Sequence, residues 1–227
     1  MKSAIFRRKS MDIFTTMKER RSTRVYLDKP VTRKEVEQVF QLAGLAPSAM
    51  NLQPWEFVVT YGEEKDRLVR NLKKVQAERK VTCGPGTTKP LPEKFAGRSR
   101  KVLQLMEPGI AETGISYSQF IEQGGCSFYG APIAIIVTMD QLFPEVRYLD
   151  VGLSVSYLLL AAHAMGLGTC PIGLIIPFAD VIADTLDIQE NKRILLAISM
   201  GHPDNESPVN KVKTNREELP EILSWHE

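Results

Sequence analysis

Hydrophobic positions along the chain change period several times, and each change marks an element. Asp12 to Arg20 predicts a short helix with Ile13, Phe14 and Met17 on one face. Thr32-Arg33-Lys34-Glu35 is a capping box, in which the Thr32 hydroxyl accepts from the third helical amide while Glu35 reaches back. The helix it opens carries Val36, Val39, Phe40 and Ala43 at helical spacing and ends before Pro47. Trp55 to Tyr61 predicts a strand, and Glu63 to Lys80 a charged amphipathic helix with Leu68, Leu72 and Val75 inward.

Periodicity then dissolves. Thr82 to Gly97 is dense in glycine and proline and predicts a loop or flap, and Glu107 to Ser116 a second irregular patch ahead of a helix from Tyr117 to Tyr129. Together they predict either a lid-like excursion over a site, at about residues 82–127, or plain surface loops. Ala131 to Met139 is a β-branched strand, Asp150 to Leu167 an apolar helix, Pro177 to Leu186 another helix and Ile194 to Met200 a strand. A long, polar, partly extended tail follows over residues 203–227.

Composition narrows this picture. A chain of 227 residues, 43% hydrophobic and 25% charged, with neither a linker nor a repeat, predicts a single domain over residues 1–227. The net charge of +2 gives no electrostatic footprint for nucleic acid, so local positive charge needs a local explanation. The apolar run Val151 to Leu167 is interrupted by Gly152, Ser154, Ser156, Tyr157 and His163 and falls short of the roughly 18 clean apolar residues of a membrane span. It predicts a buried helix, with a subunit interface as part of its cover. Met1 to Ser10 is basic, with no signal-length apolar run behind it, which points to a cytoplasmic protein whose translation starts at Met1 or Met11. Cys83, Cys126 and Cys170 form no CxxC pair and no metal-ligand spacing with histidine, so free thiols and no metal are expected.

Strands separated by helices ordinarily suggest a doubly wound parallel sheet. The near match to a dinucleotide fingerprint, Gly166-Leu167-Gly168-Thr169-Cys170-Pro171, follows a helix instead of a strand and has proline where the third glycine belongs. Four other segments carry more chemistry. In Ala46 to Trp55, Pro47 and Pro54 restrict φ, Ser48 and Asn51 offer short hydrogen-bonding side chains, and Gln53 carries both a donor and an acceptor, as a binding loop or an ordinary turn would. Arg20, Arg21, Ser22 and Arg24 supply guanidinium forks and a hydroxyl suited to a phosphate, or else a solvated basic helix end. Pro171-Ile172-Gly173-Leu174 offers backbone amides in a compact turn, with Gly173 admitting close approach, or an ordinary helix-to-helix loop. Asn210 to Arg216 adds Lys213 and Arg216 from the tail.

In this order and at these separations, the four segments resemble the FMN-dependent nitroreductase family over nearly the whole chain. Phe128-Tyr129-Gly130-Ala131-Pro132 and the tail are most similar to its nitrobenzoate-reductase-like branch. The resemblance implies an α+β fold, a mostly antiparallel central sheet flanked by helices, with the C-terminal extension exchanged across a homodimer. It implies that Arg20, Ser22 and Arg216 grip the FMN phosphate with Lys213 close by, while Arg21 and Arg24 lie nearer the ribityl chain and the pyrimidine edge. Pro171, Ile172, Gly173 and Leu174 would run against the isoalloxazine, with the Gly173 amide toward N5 and Arg24 as the cation that tunes the flavin. Pro47, Ser48, Ala49, Asn51 and Gln53 would reach the flavin of the neighbouring subunit. The implied activity is ping-pong hydride transfer from NADH or NADPH to a nitroaromatic or quinone-like small molecule, and nothing marks a 2′-phosphate site that would choose between the two donors. The rivals are reductive dehalogenation or flavin fragmentation on the same scaffold, and a non-enzymatic flavin-binding or sensing protein.

Overall fold

The computed structural model describes residues 11–79, 81 and 89–227. Its elements are α1 (Ile13–Glu19), α2 (Arg33–Ala43), β1 (Trp55–Tyr61), α3 (Gly62–Arg79), α4 (Glu93–Ala111), α5 (Tyr117–Cys126), β2 (Ile133–Asp140), α6 (Tyr148–Ala164), β3 (Gly168–Ile172), α7 (Ala179–Leu186), β4 (Lys192–Gly201) and α8 (Pro208–Lys211). The four strands form one antiparallel sheet in the order β1-β2-β4-β3. Among the described residues, no helix is long and apolar enough to cross a membrane.

Side-chain alternation explains the layering, since neighbouring strand residues point to opposite faces. On β2, Ile133, Ile135, Val137 and Met139 join α2 and α6 in one apolar cluster, whereas Ala134 and Ile136 join α3 and α7 in another. A sheet covered on both faces needs apolar residues at successive positions, which is why β2 reads as an unbroken run in the sequence. The β2–β4 register slips between Val137 and Thr138, which pair with Leu196 and Ile194 and leave Leu195 unpaired, as in a β-bulge. A third cluster, with Met106, Ile110, Phe120, Ile121 and Val209, packs α4 and α5 against α8.

The capping box forms as expected: Glu35 N donates to Thr32 Oγ1 at 3.3 Å and Thr32 N to Glu35 Oε2 at 2.9 Å. The bounds of β1 agree with expectation as well. Two expectations need correction. Most of the supposed irregular excursion is helical, with α4 beginning at Glu93 and running through Pro108 to Ala111. The prolines at 90 and 92 precede the helix start, where a missing amide costs nothing, and the turn beyond Pro108 is held by burial of Met106, Gly109 and Ile110. The flap residues 82–88 lie outside the described residues, Cys83 with them. The second correction is β3. Gly168 to Ile172 is an edge strand paired with β4 instead of a loop. An edge position tolerates Pro171, which has no amide to give to a ladder.

One more extended segment lies along β3. α1 stops at Glu19, and Arg20 turns extended at φ −55° and ψ 129°. Ser22 then bridges Thr169 in parallel, Thr23 N donates to Thr169 O at 2.9 Å, and Leu27 N donates to His202 O at 2.9 Å. Tyr26 locks the segment from beneath, its hydroxyl donating to Thr23 O at 2.7 Å and lying 2.8 Å from Ser199 Oγ. The approach is so close that a Cβ on Gly168 would lie 2.4 Å from Thr23 Oγ1. Gly168→Ala should therefore destabilise the protein by roughly 1–3 kcal/mol through overpacking, measured by denaturant unfolding, and Thr23→Gly in the same chain should recover part of the loss. An unchanged midpoint for Gly168→Ala would show that the segment is free to move away.

Candidate functional site

The extended segment and the tail meet around a cavity of about 320 Å³ lined by Arg20, Arg21, Ser22, Arg24, Lys213 and Arg216, with Val102 and Met106 of α4 on its apolar side. Two stretches far apart in sequence thus place their cations together. Among the described residues none of Arg20, Arg21, Arg24, Lys213 and Arg216 is in a salt bridge, although the protein forms such pairs elsewhere. Burial lowers the pKa of Arg20, and the like charge of Arg216 lowers it further. Arg24 is mostly buried, and its Nε lies out of solvent with no hydrogen-bond partner among the described residues. Burial opposes its charge, but Cys170 and Tyr129 outweigh that and the net direction is upward. Glu19 also lines the cavity, but its one carboxylate is outnumbered by those five cations, and such a cluster with an orphaned buried donor suits a dianion such as an FMN phosphate with a polar group beside it.

Asn210 joins the two stretches. Its Oδ1 accepts from Arg24 N at 2.9 Å and Val25 N at 3.3 Å, while Nδ2 donates to Val25 O at 2.7 Å and Asp204 O at 2.8 Å. Arg21 adds a bond from Nη1 to Asn210 O at 3.4 Å and one from Nε to Glu19 O at 3.4 Å, so it braces the joint besides lining the cavity. Arg216 is exposed and curls onto its own stretch through Thr214 Oγ1 at 2.9 Å.

Pro171 to Leu174 do not line this cavity. They lie at the far end of β3 and in the 3-10 turn that follows, with Gly173 four residues beyond Thr169, or roughly 13 Å at strand rise. Gly173 is exposed, and a Cβ added there would meet nothing within 4 Å. Leu174 packs on α5, where a Cβ on Gly125 would lie 3.2 Å from its Cδ2. Cations at one end of β3 and an open glycine turn at the other suit a ligand longer than a phosphate.

Pro47, Ser48, Ala49, Asn51 and Gln53 do not line the cavity either. They form an outward loop in which Met50, Asn51 and Gln53 have φ of 53°, 55° and 47°, three positive-φ residues without a glycine, interrupted by Leu52 at −70°. Such conformations persist only where neighbours fix them. Gln53 N donates to Ser48 Oγ at 3.0 Å, and Ala49 N donates to Asp150 Oδ1 at 3.3 Å, the Asp150 carboxylate also pairing with Arg147 at 3.0 Å. Met50 at the tip is 91% exposed.

A family model described as "Nitroreductase family" matches residues 17–202. This chain belongs to the nitroreductase family. Among its relatives, a 4-nitrobenzoate reductase of Pseudomonas putida is 29% identical over 91% of this chain and 92% of its own. The nitroreductase NfnB of Mycolicibacterium smegmatis is 31% identical over 92% of this chain and 90% of its own. The crystal structure of the FMN-dependent nitroreductase NfnB from Mycobacterium smegmatis in complex with NADPH superposes with a TM-score of 0.83 at 29% identity, covering 93% of this chain and 96% of that one. The expected α+β nitroreductase fold is thus present.

Three residues around the cavity and the outward loop take parts that their residue type and position do not announce. In the sequence Asn210 stands only as the first residue of the tail segment, Asp150 only as the start of the apolar helix, and Tyr129 only within Phe128-Tyr129-Gly130-Ala131-Pro132. Their roles come from contacts across more than a hundred residues in the first two cases. Cys170, by contrast, is 1% exposed with its thiol pKa raised by burial, as suits a buried filler. Cys126 is likewise buried, and that burial pushes its thiol up to about 11. Asn210→Ala should leave two amides and two carbonyls to find new partners, at a cost of roughly 1–3 kcal/mol. The measurement is denaturant unfolding together with amide exchange at Arg24 and Val25; unchanged protection there would show that the joint does not depend on this side chain.

Proposed function

We propose that the protein works as a homodimer with one FMN site at each end of a shared interface, each built from residues of both chains. Members of its family use FMN with NAD(P)H, and the chain is an FMN-dependent NAD(P)H nitroreductase-type oxidoreductase that reduces nitroaromatic or quinone-like acceptors. The observation that carries the placement is the convergence of Arg20, Arg21, Ser22, Arg24, Lys213 and Arg216 on one cavity with no salt-bridging carboxylate among the described residues. FMN, when bound, supplies two-electron chemistry between the nicotinamide donor and the acceptor.

The residues of the chain then have separable tasks. Arg20, Ser22 and Arg216, with Lys213, hold the phosphate; Arg21 and Arg24 lie toward the ribityl chain and pyrimidine edge. Arg24 is the cation that favours the more negative, reduced form of the cofactor. Pro171, Ile172, Gly173 and Leu174 form the wall for the ring, with the Gly173 amide toward N5. Pro47, Ser48, Ala49, Asn51 and Gln53 reach across to the partner's flavin. Support for that reach is the outward, braced loop and the uncovered apolar face beside it: Leu149, Leu153 and Tyr157 of α6 are 71%, 42% and 42% exposed at four-residue spacing, and Ile13, Phe14 and Met17 of α1 are exposed as well. Faces like these favour a partner.

The tail, residues 203–227, is the proposed exchanged element. Within one chain it rests on α4 through Lys94–Glu221 at 2.9 Å and Arg98–Glu217 at 2.8 Å, surface pairs of small energetic weight, while Leu219, Ile222 and Trp225 stay exposed. The whole chain, residues 1–227, acts as one domain with α4 and α5 over the site, and the setting is cytoplasmic.

Anaerobic spectra of the purified protein test the activity: flavin absorbance should bleach with NADPH or NADH and return on adding a nitroaromatic or quinone, whereas flavin that never bleaches would favour a sensing role. Arg20→Ala should weaken FMN binding by roughly 1.5–3 kcal/mol through loss of charge-assisted bonds, with a smaller effect for the exposed Arg216→Ala; unchanged affinity in both, by fluorescence titration, would remove the phosphate role. Leu153→Glu should give a species at the 25.5 kDa chain mass that retains little FMN. A variant still sedimenting at twice that mass would place the interface elsewhere.

A further inference from the structure

The turn after α5 contains three successive residues with positive φ: Phe128 at 52°, Tyr129 at 54° and Gly130 at 71°. Two of them carry side chains that disfavour this region, so neighbouring structure must hold the turn in place. Phe128 is fully buried and anchors the turn in the core. Tyr129 is sent elsewhere. Its ring folds back on α5 so closely that a Cβ on Gly124 would lie 2.4 Å from its Cε1. Phe120, one turn earlier on the same helix, packs against it at 5.7 Å between centroids and 40° between planes.

Held in this way, the Tyr129 ring faces Arg24. The guanidinium carbon is 5.8 Å from the ring centroid, so the ring offers its face to the Arg24 charge. Asn210 fixes the Arg24 backbone, but it does not touch the guanidinium. The guanidinium of a long, flexible side chain needs its own restraint if its charge is to act at one spot.

We infer that Tyr129 is a positioning residue: it holds the Arg24 guanidinium against the flavin site and so raises the reduction potential of bound FMN. The inference rests on the reading that Arg24 faces the cofactor. The left-handed turn and the bare face of α5 at Gly124 are the structural means by which the ring is brought there.

The test is the two-electron midpoint potential of FMN bound to the full-length protein, by anaerobic spectrophotometric titration against reference dyes. The proteins compared are the wild type, Tyr129→Phe, Tyr129→Leu, Arg24→Gln and the Arg24→Gln/Tyr129→Leu double variant. Arg24→Gln should lower the potential. Tyr129→Leu should lower it by a tenfold shift in the oxidised-to-reduced equilibrium, about 30 mV for two electrons, and Tyr129→Phe by less, because the ring is kept. The double variant should match Arg24→Gln alone, because Tyr129 acts only through Arg24. Wild-type potentials in both Tyr129 variants, with Arg24→Gln still lowered, would overturn the positioning role and leave the Arg24 reading intact. A wild-type potential in Arg24→Gln would overturn both. Additive shifts in the double variant would also overturn it, by showing that Tyr129 acts on the flavin directly. Should Tyr129→Leu lose its FMN, Tyr129→Phe, which preserves the packing on Gly124, decides alone, and a wild-type potential there overturns the inference.

Discussion

The structure depends on one buried amide. Asn210, 6% exposed, uses both the oxygen and the nitrogen of its side chain to tie the tail to the backbone of Arg24 and Val25. An amide is suited to this because it accepts and donates at once, so one side chain bonds two amides and two carbonyls of the joint. This joint, with the Asp204 N to Val25 O bond beside it, brings the two walls of the cationic cavity together. Arg20 to Arg24 lie near one end of the chain and Lys213 to Arg216 near the other, and no local preference would bring them together.

What the joint assembles is unfavourable on its own account. Several cations face one cavity, and Arg20 has its pKa lowered by burial and by Arg216. The fold bears this cost through apolar clusters on both faces of the sheet and through the fit of the basic segment against β3, where Gly168 admits Thr23. A dianionic ligand relieves the repulsion and thereby stabilises the folded state by mass action. The proposed site and the scaffold are for this reason thermodynamically coupled: the residues proposed to hold the phosphate are those whose mutual repulsion the ligand-free fold must bear.

Strain is distributed on the same principle. The left-handed residues Met50, Asn51 and Gln53 and the left-handed run Phe128 to Gly130 both flank surfaces that the proposed cofactor site needs, the first held by the distant Asp150 and the second by the helix it follows, α5. Neither is a helix or strand that its own sequence would stabilise.

Local chemistry made much of this legible in the sequence. The capping box at Thr32, the bounds of β1, the inward faces of α2 and α3 and the β-branched run of β2 follow from hydrogen-bonding capacity and side-chain period, which act over a few residues. The chemical nature of the basic segment, and the family to which it belongs, could likewise be read from residue types and their order. Only tertiary structure decided the rest. Gly168 to Ile172 becomes a strand because β4 offers it an edge, and α4 passes through Pro108 because its last turn is buried against α5 and α8. Asn210, Asp150 and Tyr129 gain their roles from partners that are distant in sequence or reached only through a strained turn. A sequence states what each residue can bond to, whereas the partner it meets is set by packing of the whole chain.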